Sequence, residues 1–264
     1  MAKTQKELAF LRDLYIQDEW TQRFTGLVDK HMDLTDSDNM LYINAGTGGH
    51  ALAIHERFGE KTDIFATVED EDMLTIAQDK AAAIRADVDF SRLRFEDDAF
   101  DAVLADATFV TPAEVESFIE NTVRVARTGG DIAIFLPTAG SYGEIFSLLW
   151  EAFFNEDLTE HAAAVETLIA ELPTVSRIEA LGKQAGIVNI NTQMATELFE
   201  FRDGNEFAES PLVADFLMPV WLESLDENEK DRVVKQLVGL IDAEDDKFSF
   251  IFTVKAALLT GEKF

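Results

Sequence analysis

Apolar positions along this chain fall into two rhythms that alternate. Leu8, Leu11, Leu14 and Tyr15, then Phe24, Leu27 and Val28, recur at helical spacing and predict a helical segment over Thr4–His31. Asp33–Asn39 is polar and reads as a turn. Met40–Ile43 is a short unbroken apolar run, as expected of a buried strand. It enters a glycine-rich turn, Asn44–Gly49, and a helix follows from His50 through Phe58, stopped by Gly59. The alternation then repeats. Strand Asp63–Val68 precedes helix Asp72–Arg85, and strand Val88–Ser91 precedes a polar loop, Arg92–Ala99. Strand Phe100–Ala105 is followed by a helix that starts at Thr111 and Pro112 and runs to Arg127. Thr128-Gly129-Gly130 then turns the chain into strand Asp131–Leu136. Strands and helices alternating through short loops predict a parallel sheet covered by helices on both faces.

Beyond Leu136 the helical rhythm dominates, over Gly140–Phe154, Leu158–Leu172 and Val175–Ala185, the last ended by Gly186. Ile187–Phe201 reads as a partly alternating strand. Phe207–Leu225 reads as a loop and apolar helix, Asp226–Asp242 as a helix and Lys247–Leu258 as a closing strand. No linker rich in Gly, Pro or Ser divides the chain. One domain is therefore expected over 1–264. Within it, 1–38 forms an N-terminal helical lid, 39–139 a ligand-binding core and 140–264 the substrate-side helices and closing strands. The lid is expected to carry Tyr15, Trp20 and Arg23 towards a ligand. Phe146, Trp150, Phe153, Phe154, Phe216 and Trp221 are expected to line an apolar pocket.

Charge changes this picture most. A net charge of −29 argues against nucleic acid or an anionic membrane as a partner. No apolar run is long enough to span a membrane, and the first residues lack the apolar stretch of a signal peptide. Cysteine is absent, which excludes disulfides and cysteine-ligated zinc and fits a cytoplasmic protein. His50 and His55 do not complete a metal-binding H-E-x-x-H, so no metal is expected. No G-x-S-x-G elbow or P-loop is present, which removes hydrolase and NTPase readings.

The candidate chemistry lies in Met40–Gly49. A strand, a glycine-rich turn and a helix N-terminus make a nucleotide-type cradle: glycine lets the backbone approach a ligand, and the helix offers free N–H groups. An acid about 20 residues on takes ribose hydroxyls, and Glu69 and Asp70 stand there. Gly46-x-Gly48-x-x-Ala51 also fits a nicotinamide-dinucleotide fingerprint.

The order of several motifs separates these readings. Leu41-Tyr42-Ile43-Asn44-Ala45-Gly46-Thr47-Gly48 is similar to motif I of class I S-adenosylmethionine (SAM) methyltransferases. Val68-Glu69-Asp70, Met73–Ala77, Phe95–Leu104 and Val125–Gly130 resemble the later motifs of that family, in order and at its spacings. The nearest resemblance is to small-molecule methyltransferases of the quinone- and biotin-biosynthesis type. It implies a Rossmann-like α/β fold with a seven-stranded, mostly parallel sheet and an antiparallel last strand, elaborated by an N-terminal helix and helical insertions. It also implies SAM as cofactor, S-adenosylhomocysteine as product and a small-molecule acceptor.

By the same resemblance, Tyr42, Asn44, Ala45, Gly46 and Gly48 would border the methionine half of SAM. Glu69, with Asp70 behind it, would hold the ribose, and Asp89 with Phe90 the adenine. Ala105, Asp106 and Thr108 would lie by the transferred methyl, with Asp106 as the candidate general base. Three positions depart from the pattern. Tyr42 replaces an acid, Asn44 replaces a glycine, and Val68 takes the place of the ribose acid, which shifts to Glu69. A non-catalytic binding or regulatory protein on the same scaffold, and an NAD(P)-dependent oxidoreductase, are the alternative readings. Oligomeric state is not fixed by the sequence.

Overall fold

The computed structural model describes residues 3–34, 36–243 and 249–264. It begins with helix α1 (Gln5–Leu11), capped by a reciprocal Thr4–Glu7 pair, and ends its first helical stretch with α2 (Gln22–His31). Between them Arg12–Thr21 winds as a π-helix. Its wider turn adds a residue per revolution and rotates the buried face. Arg12, Ile16, Trp20 and Thr21 therefore point inward, whereas Leu14 and Tyr15, expected inside, are exposed.

Strand β1 (Asn39–Ile43) leads to α3 (Gly49–Phe58), β2 (Asp63–Thr67), α4 (Glu71–Ile84), β3 (Val88–Ser91) and β4 (Phe100–Asp106). Then come α5 (Val115–Val125), β5 (Ala126–Pro137), α6 (Gly143–Asn155), α7 (Ala162–Glu171) and α8 (Val175–Ala185). The chain closes with β6 (Ile187–Phe201), α9 (Gly204–Glu209), α10 (Met218–Trp221), α11 (Glu227–Asp242) and β7 (Phe250–Lys263). The sheet order is β3-β2-β1-β4-β5-β7-β6. Strands β1 to β5 pair in parallel, and the last strands run antiparallel.

The expected seven-stranded Rossmann-like sheet is therefore present, with several boundaries moved. The helix expected to reach Arg127 stops at Val125. The Thr128-Gly129-Gly130 turn is a bulge inside β5, where the register jumps from Phe100↔Ala126 to Ala102↔Asp131. The closing strand runs on to Lys263, and Lys247, its expected start, lies outside the described residues.

The chain packs as two compact units. One holds the chain up to Leu136 with Thr174–Ala195 and Ala256–Phe264. Alternation along β1 divides its core. Leu41 and Ile43 join Val103, Ile119, Val123 and Ile134 beneath α5, while Tyr42 turns to the other face, against Phe135. Trp20 and Phe24 cover that second face, with Phe24 6.2 Å from Phe135. A buried acid ties the sheet's lower edge. Asp101 accepts backbone N–H groups of Asp38 (2.8 Å) and Asn39 (3.3 Å) and pairs with Arg127 at 2.7 Å. Asp101→Ala should lower unfolding free energy by about 2–3 kcal/mol in urea titration, since three donors lose their acceptor.

The other unit comprises the described residues of Pro137–Pro173 and Thr196–Lys255. Tyr142, Phe146 and Trp221 meet edge to face at its centre, and Phe199 stacks on Phe252 at 4.8 Å. Of the six aromatics expected to line a pocket, Phe146, Phe153 and Trp221 are core, Phe216 is half-buried, and Trp150 and Phe154 face solvent. Packing, not pocket lining, is what the three buried rings do.

Candidate cofactor site at the glycine turn

The turn after β1 has the backbone that its residues dictate. Asn44 adopts φ 57°, Gly46 φ 57° and Gly48 φ 79°, all left-handed. Asparagine tolerates that region best among residues with a side chain, so it replaces a glycine without opening the turn. Its amide Nδ2 donates to the Asp106 carbonyl at 3.2 Å, and the Ala45 N–H donates to the Thr67 carbonyl at 2.8 Å. The turn is thus fixed to the ends of β4 and β2. The two glycines do different work. A side chain at Gly46 would meet nothing nearer than the Arg12 guanidinium, at 3.7 Å, so this glycine faces the site. A Cβ at Gly48 would stand 2.6 Å from the Phe90 ring, so that glycine serves packing.

Glu69 and Asp70 separate cleanly. Val68 is buried in the core, which leaves Glu69 as the acid beyond β2, with its side chain 29% exposed. Asp70 caps α4, its Oδ1 accepting the Met73 N–H at 2.8 Å, so that oxygen is committed to the helix. Asp89 is exposed on β3, one residue from the buried Phe90 and therefore on the opposite sheet face. Ala105 packs among the residues under α5 rather than towards the turn.

Asp106 ends β4 fully buried, and its Oδ1 accepts both the N–H (2.8 Å) and hydroxyl (2.6 Å) of Thr108. Burial pushes its carboxyl up to about 6, while Arg12 and the Thr108 hydrogen bonds pull it down. The group holds its proton more tightly folded than at the unfolded value of 3.8, so stability falls as pH rises between the two values. Asp106→Asn should stabilise the protein at pH 7 by about 2–3 kcal/mol, at 1.36 kcal/mol per pKa unit. It should also flatten the stability profile between about pH 4 and 6, as checked by urea unfolding across that range.

Tyr42, in the place of the expected acid, is fully buried, and burial lifts its phenol well above the usual range. Its hydroxyl lies 3.2 Å from His50 Nδ1, and His50 Nε2 lies 3.5 Å from Asp29 Oδ1 on α2. The His50 ring holds the Asp29 carboxyl below its usual range. This chain of side chains joins the N-terminal helices to the turn.

The residue that sequence reasoning missed is Arg12. Its guanidinium is almost buried, pairs with Glu69 at 3.1 Å and lies 4.2 Å above the centre of the Phe109 ring. The residues expected to reach in from the same segment do otherwise. Tyr15 is exposed, Trp20 is core, and the Arg23 Nε donates to the Glu19 carbonyl of the preceding π-helix at 2.9 Å. Thr47, inside the turn, has a buried hydroxyl with no hydrogen-bond partner among the described residues. An anionic acceptor at Glu69, a Thr47 hydroxyl with no partner among the described residues and a Gly46 face met only by the Arg12 side chain suit a ligand with vicinal hydroxyls and a polar tail. Among the described residues no group of three or more acidic or histidine side chains is placed to hold a metal, and no helix is long and apolar enough to cross a membrane.

Comparison with known proteins agrees with this geometry. A methyltransferase domain model matches residues 40–130. The chain is 28% identical over 132 residues to demethylmenaquinone methyltransferase of Shouchella clausii (strain KSM-K16), a match covering 48% of this chain and 56% of that relative. It therefore spans little more than half the relative's length. The YcgJ protein of Bacillus subtilis superposes with a TM-score of 0.58 at 16% identity, over 92% of this chain and 98% of that one. Phosphoethanolamine N-methyltransferase 2 of Haemonchus contortus, in complex with phosphomonomethylethanolamine and S-adenosylhomocysteine, superposes at 0.57 and 16% identity, over 98% and 57%. Geranyl diphosphate C-methyltransferase of Streptomyces coelicolor A3(2) gives 0.51 at 11% identity, over 99% and 85%. The matched segment holds the glycine turn, the Glu69 acid and the strand that ends at Asp106, and over it the chain is similar to methyltransferase domains.

Proposed function

We propose that this protein transfers the methyl group of SAM to a small-molecule acceptor. The observation that carries the reading is the Glu69 carboxylate beyond β2, joined through the Arg12 guanidinium to the face of Gly46, inside the segment that matches the methyltransferase domain. Glu69 accepts the two ribose hydroxyls, a task for a carboxylate with free lone pairs, and Asp70 keeps its place as helix cap. The Gly46 face and the Thr47 hydroxyl receive the amino-acid half. Phe90, whose ring packs against Gly48, remains the candidate adenine neighbour, while Asp89 lies on the other face of β3.

The sulfonium supplies an activated methyl, so the protein's work is to position the acceptor in line with it and exclude water. Asp106 stands where the acceptor's proton would leave. With its carboxyl at about 6 it is ionised at neutral pH and serves as base where the acceptor needs one. The net charge of −29 favours a small molecule over nucleic acid as acceptor, and a chain without cysteine suits a cytoplasmic setting.

Calorimetric titration with SAM and S-adenosylhomocysteine, with NAD as control, tests the reading. Binding of the adenosyl ligands in the micromolar range, with none for NAD, is expected. Binding of NAD alone would replace it with the oxidoreductase reading.

A further inference from the structure

The parallel crossovers after β1, β2 and β4 carry α3, α4 and α5, whereas the one from β3 to β4 is the irregular loop Arg92–Ala99. Such a connection ordinarily takes about a dozen residues or more and a helix. The sheet order places β2 and β1 between those two strands, so the loop crosses both. Phe95 fills part of the face that a helix would cover, meeting Phe65 and Phe100 edge to face at 6.0 and 5.0 Å. What it leaves is a groove of about 490 Å³ between the loop, α5 and the ends of β1 and β2. That volume falls within the range of small-molecule sites, roughly 300–1,000 Å³. The groove lies on the sheet face of Leu41 and Ile43, opposite Tyr42, and of the glycine-turn residues only Asn44 reaches it.

The charge of the groove is the reverse of the protein's. Acidic residues number 51 of 264 in the chain, yet none of the twelve residues lining the groove is acidic and three are arginines. Arg124 is committed to the fold. Its guanidinium donates to the Phe95 carbonyl at 3.0 Å and to Asn121 Oδ1 at 2.9 Å, and pairs with Asp97, which ties the loop to α5. Arg92 and Arg94 are held by nothing comparable. Arg92 meets Glu71 at 3.5 Å with both side chains largely in water, a kind of pair that contributes little. Arg94 has no hydrogen bond or ion pair among the described residues. Beneath the two cations the lining is apolar, from Ile43, Phe95, Phe118 and Val125. The net charge of −29 acts from a distance and is screened over about 8 Å in physiological salt, so the nearby arginines set the potential in the groove.

We infer that this groove binds a small organic anion: a phosphate or carboxylate head paired by Arg92 and Arg94, on an apolar body lodged against Ile43, Phe95 and Phe118. The guanidinium fork matches either head at two points. A bare inorganic ion would leave the apolar lining wet, so body and head both contribute. The site is separate from the proposed methyl transfer and stands whether or not the glycine turn holds SAM.

The test is calorimetric titration of the full chain with octyl phosphate, octanoate and octanol, which share one apolar body, and with inorganic phosphate. At least one of the two octyl anions should bind about tenfold or more tightly than octanol, the worth of one charge-assisted hydrogen bond, and the tighter anion names the head. Inorganic phosphate should bind more weakly than octyl phosphate. Replacing both cations, Arg92→Gln with Arg94→Gln, should weaken the preferred anion by about tenfold or more and leave octanol within about twofold. Arg94→Gln alone, at an exposed side chain, should show a smaller loss in the same direction and carries the comparison should the double variant fail to fold. Lys61→Gln removes an exposed lysine outside the groove and should change none of the affinities. Failure of the wild type to bind either octyl anion overturns the inference, and so does octanol binding as tightly as both. An unchanged anion affinity in the arginine variants, or an equal loss in Lys61→Gln, overturns it as well, since net charge and not the groove would then be at work. Inorganic phosphate binding as tightly as octyl phosphate removes the apolar body from the site and overturns it too.

Discussion

Glu69→Ala should abolish S-adenosylhomocysteine binding at concentrations that saturate the wild type. The carboxylate stands beyond β2 with its side chain 29% exposed and one of its oxygens paired with Arg12. Two charge-assisted hydrogen bonds to vicinal hydroxyls, at about 1.5–3 kcal/mol each, set the loss at about 100-fold or more in affinity. Asp70→Ala is the matched control. Its carboxylate caps α4 through the Met73 N–H, so removing it should cost about 1 kcal/mol of stability and leave binding within a few-fold of wild type. Parallel calorimetry and urea unfolding of the two variants separate a ligand contact from a helix cap. Equal loss of binding in both would move the ribose contact off Glu69.

Gly48→Val should be among the most destabilising single changes in the turn. The position has φ 79°, and a Cβ there would lie 2.6 Å from the Phe90 ring and 3.1 Å from the Ala77 methyl. Phe90 is buried and cannot swing clear. The left-handed backbone costs a side chain about 1–2 kcal/mol, and forcing atoms into a packed wall costs about 1–3 kcal/mol more. Gly129→Ala provides the comparison, since φ there is 76° but nothing stands within 4 Å of the added methyl. It should lose only the backbone share. Thermal unfolding of the pair reads the difference directly, and similar losses would mean that Phe90 does not press on the turn.

The sequence by itself determined the layout of the sheet and the backbone of the turn. Strand Val88–Ser91 falls within the bounds that the sequence predicts, and β1, β2 and β4 differ from theirs by one residue at an end. These are short, locally encoded signals: the central strands β1 and β4 are near-continuous apolar runs, β2 and β3 bury alternate positions, and turn residues mark the ends. The left-handed Asn44 was legible for the same reason, because φ is a property of one residue and its neighbours. That Val68 turns into the core and Glu69 does not followed once the strand was placed, since a carboxylate does not stay in a core without a partner.

What only the tertiary structure decided was how distant segments share space around that turn. Arg12 is 57 residues from Glu69, and nothing in the local pattern marks it, for in an ordinary helix Leu11, Leu14 and Tyr15 would have faced inward. The π-helical turn of Arg12–Thr21 rotates the buried face and carries a guanidinium onto an acid and an aromatic ring from two other loops. The division of labour between Gly46 and Gly48 is equally invisible in sequence, because it depends on where the Phe90 ring and the Arg12 side chain end up. The aromatics of α6 and α10 divide into core and surface on the same principle. Helical spacing says that residues share a face, and only the neighbouring elements decide whether that face is packed, open to a ligand or left to solvent.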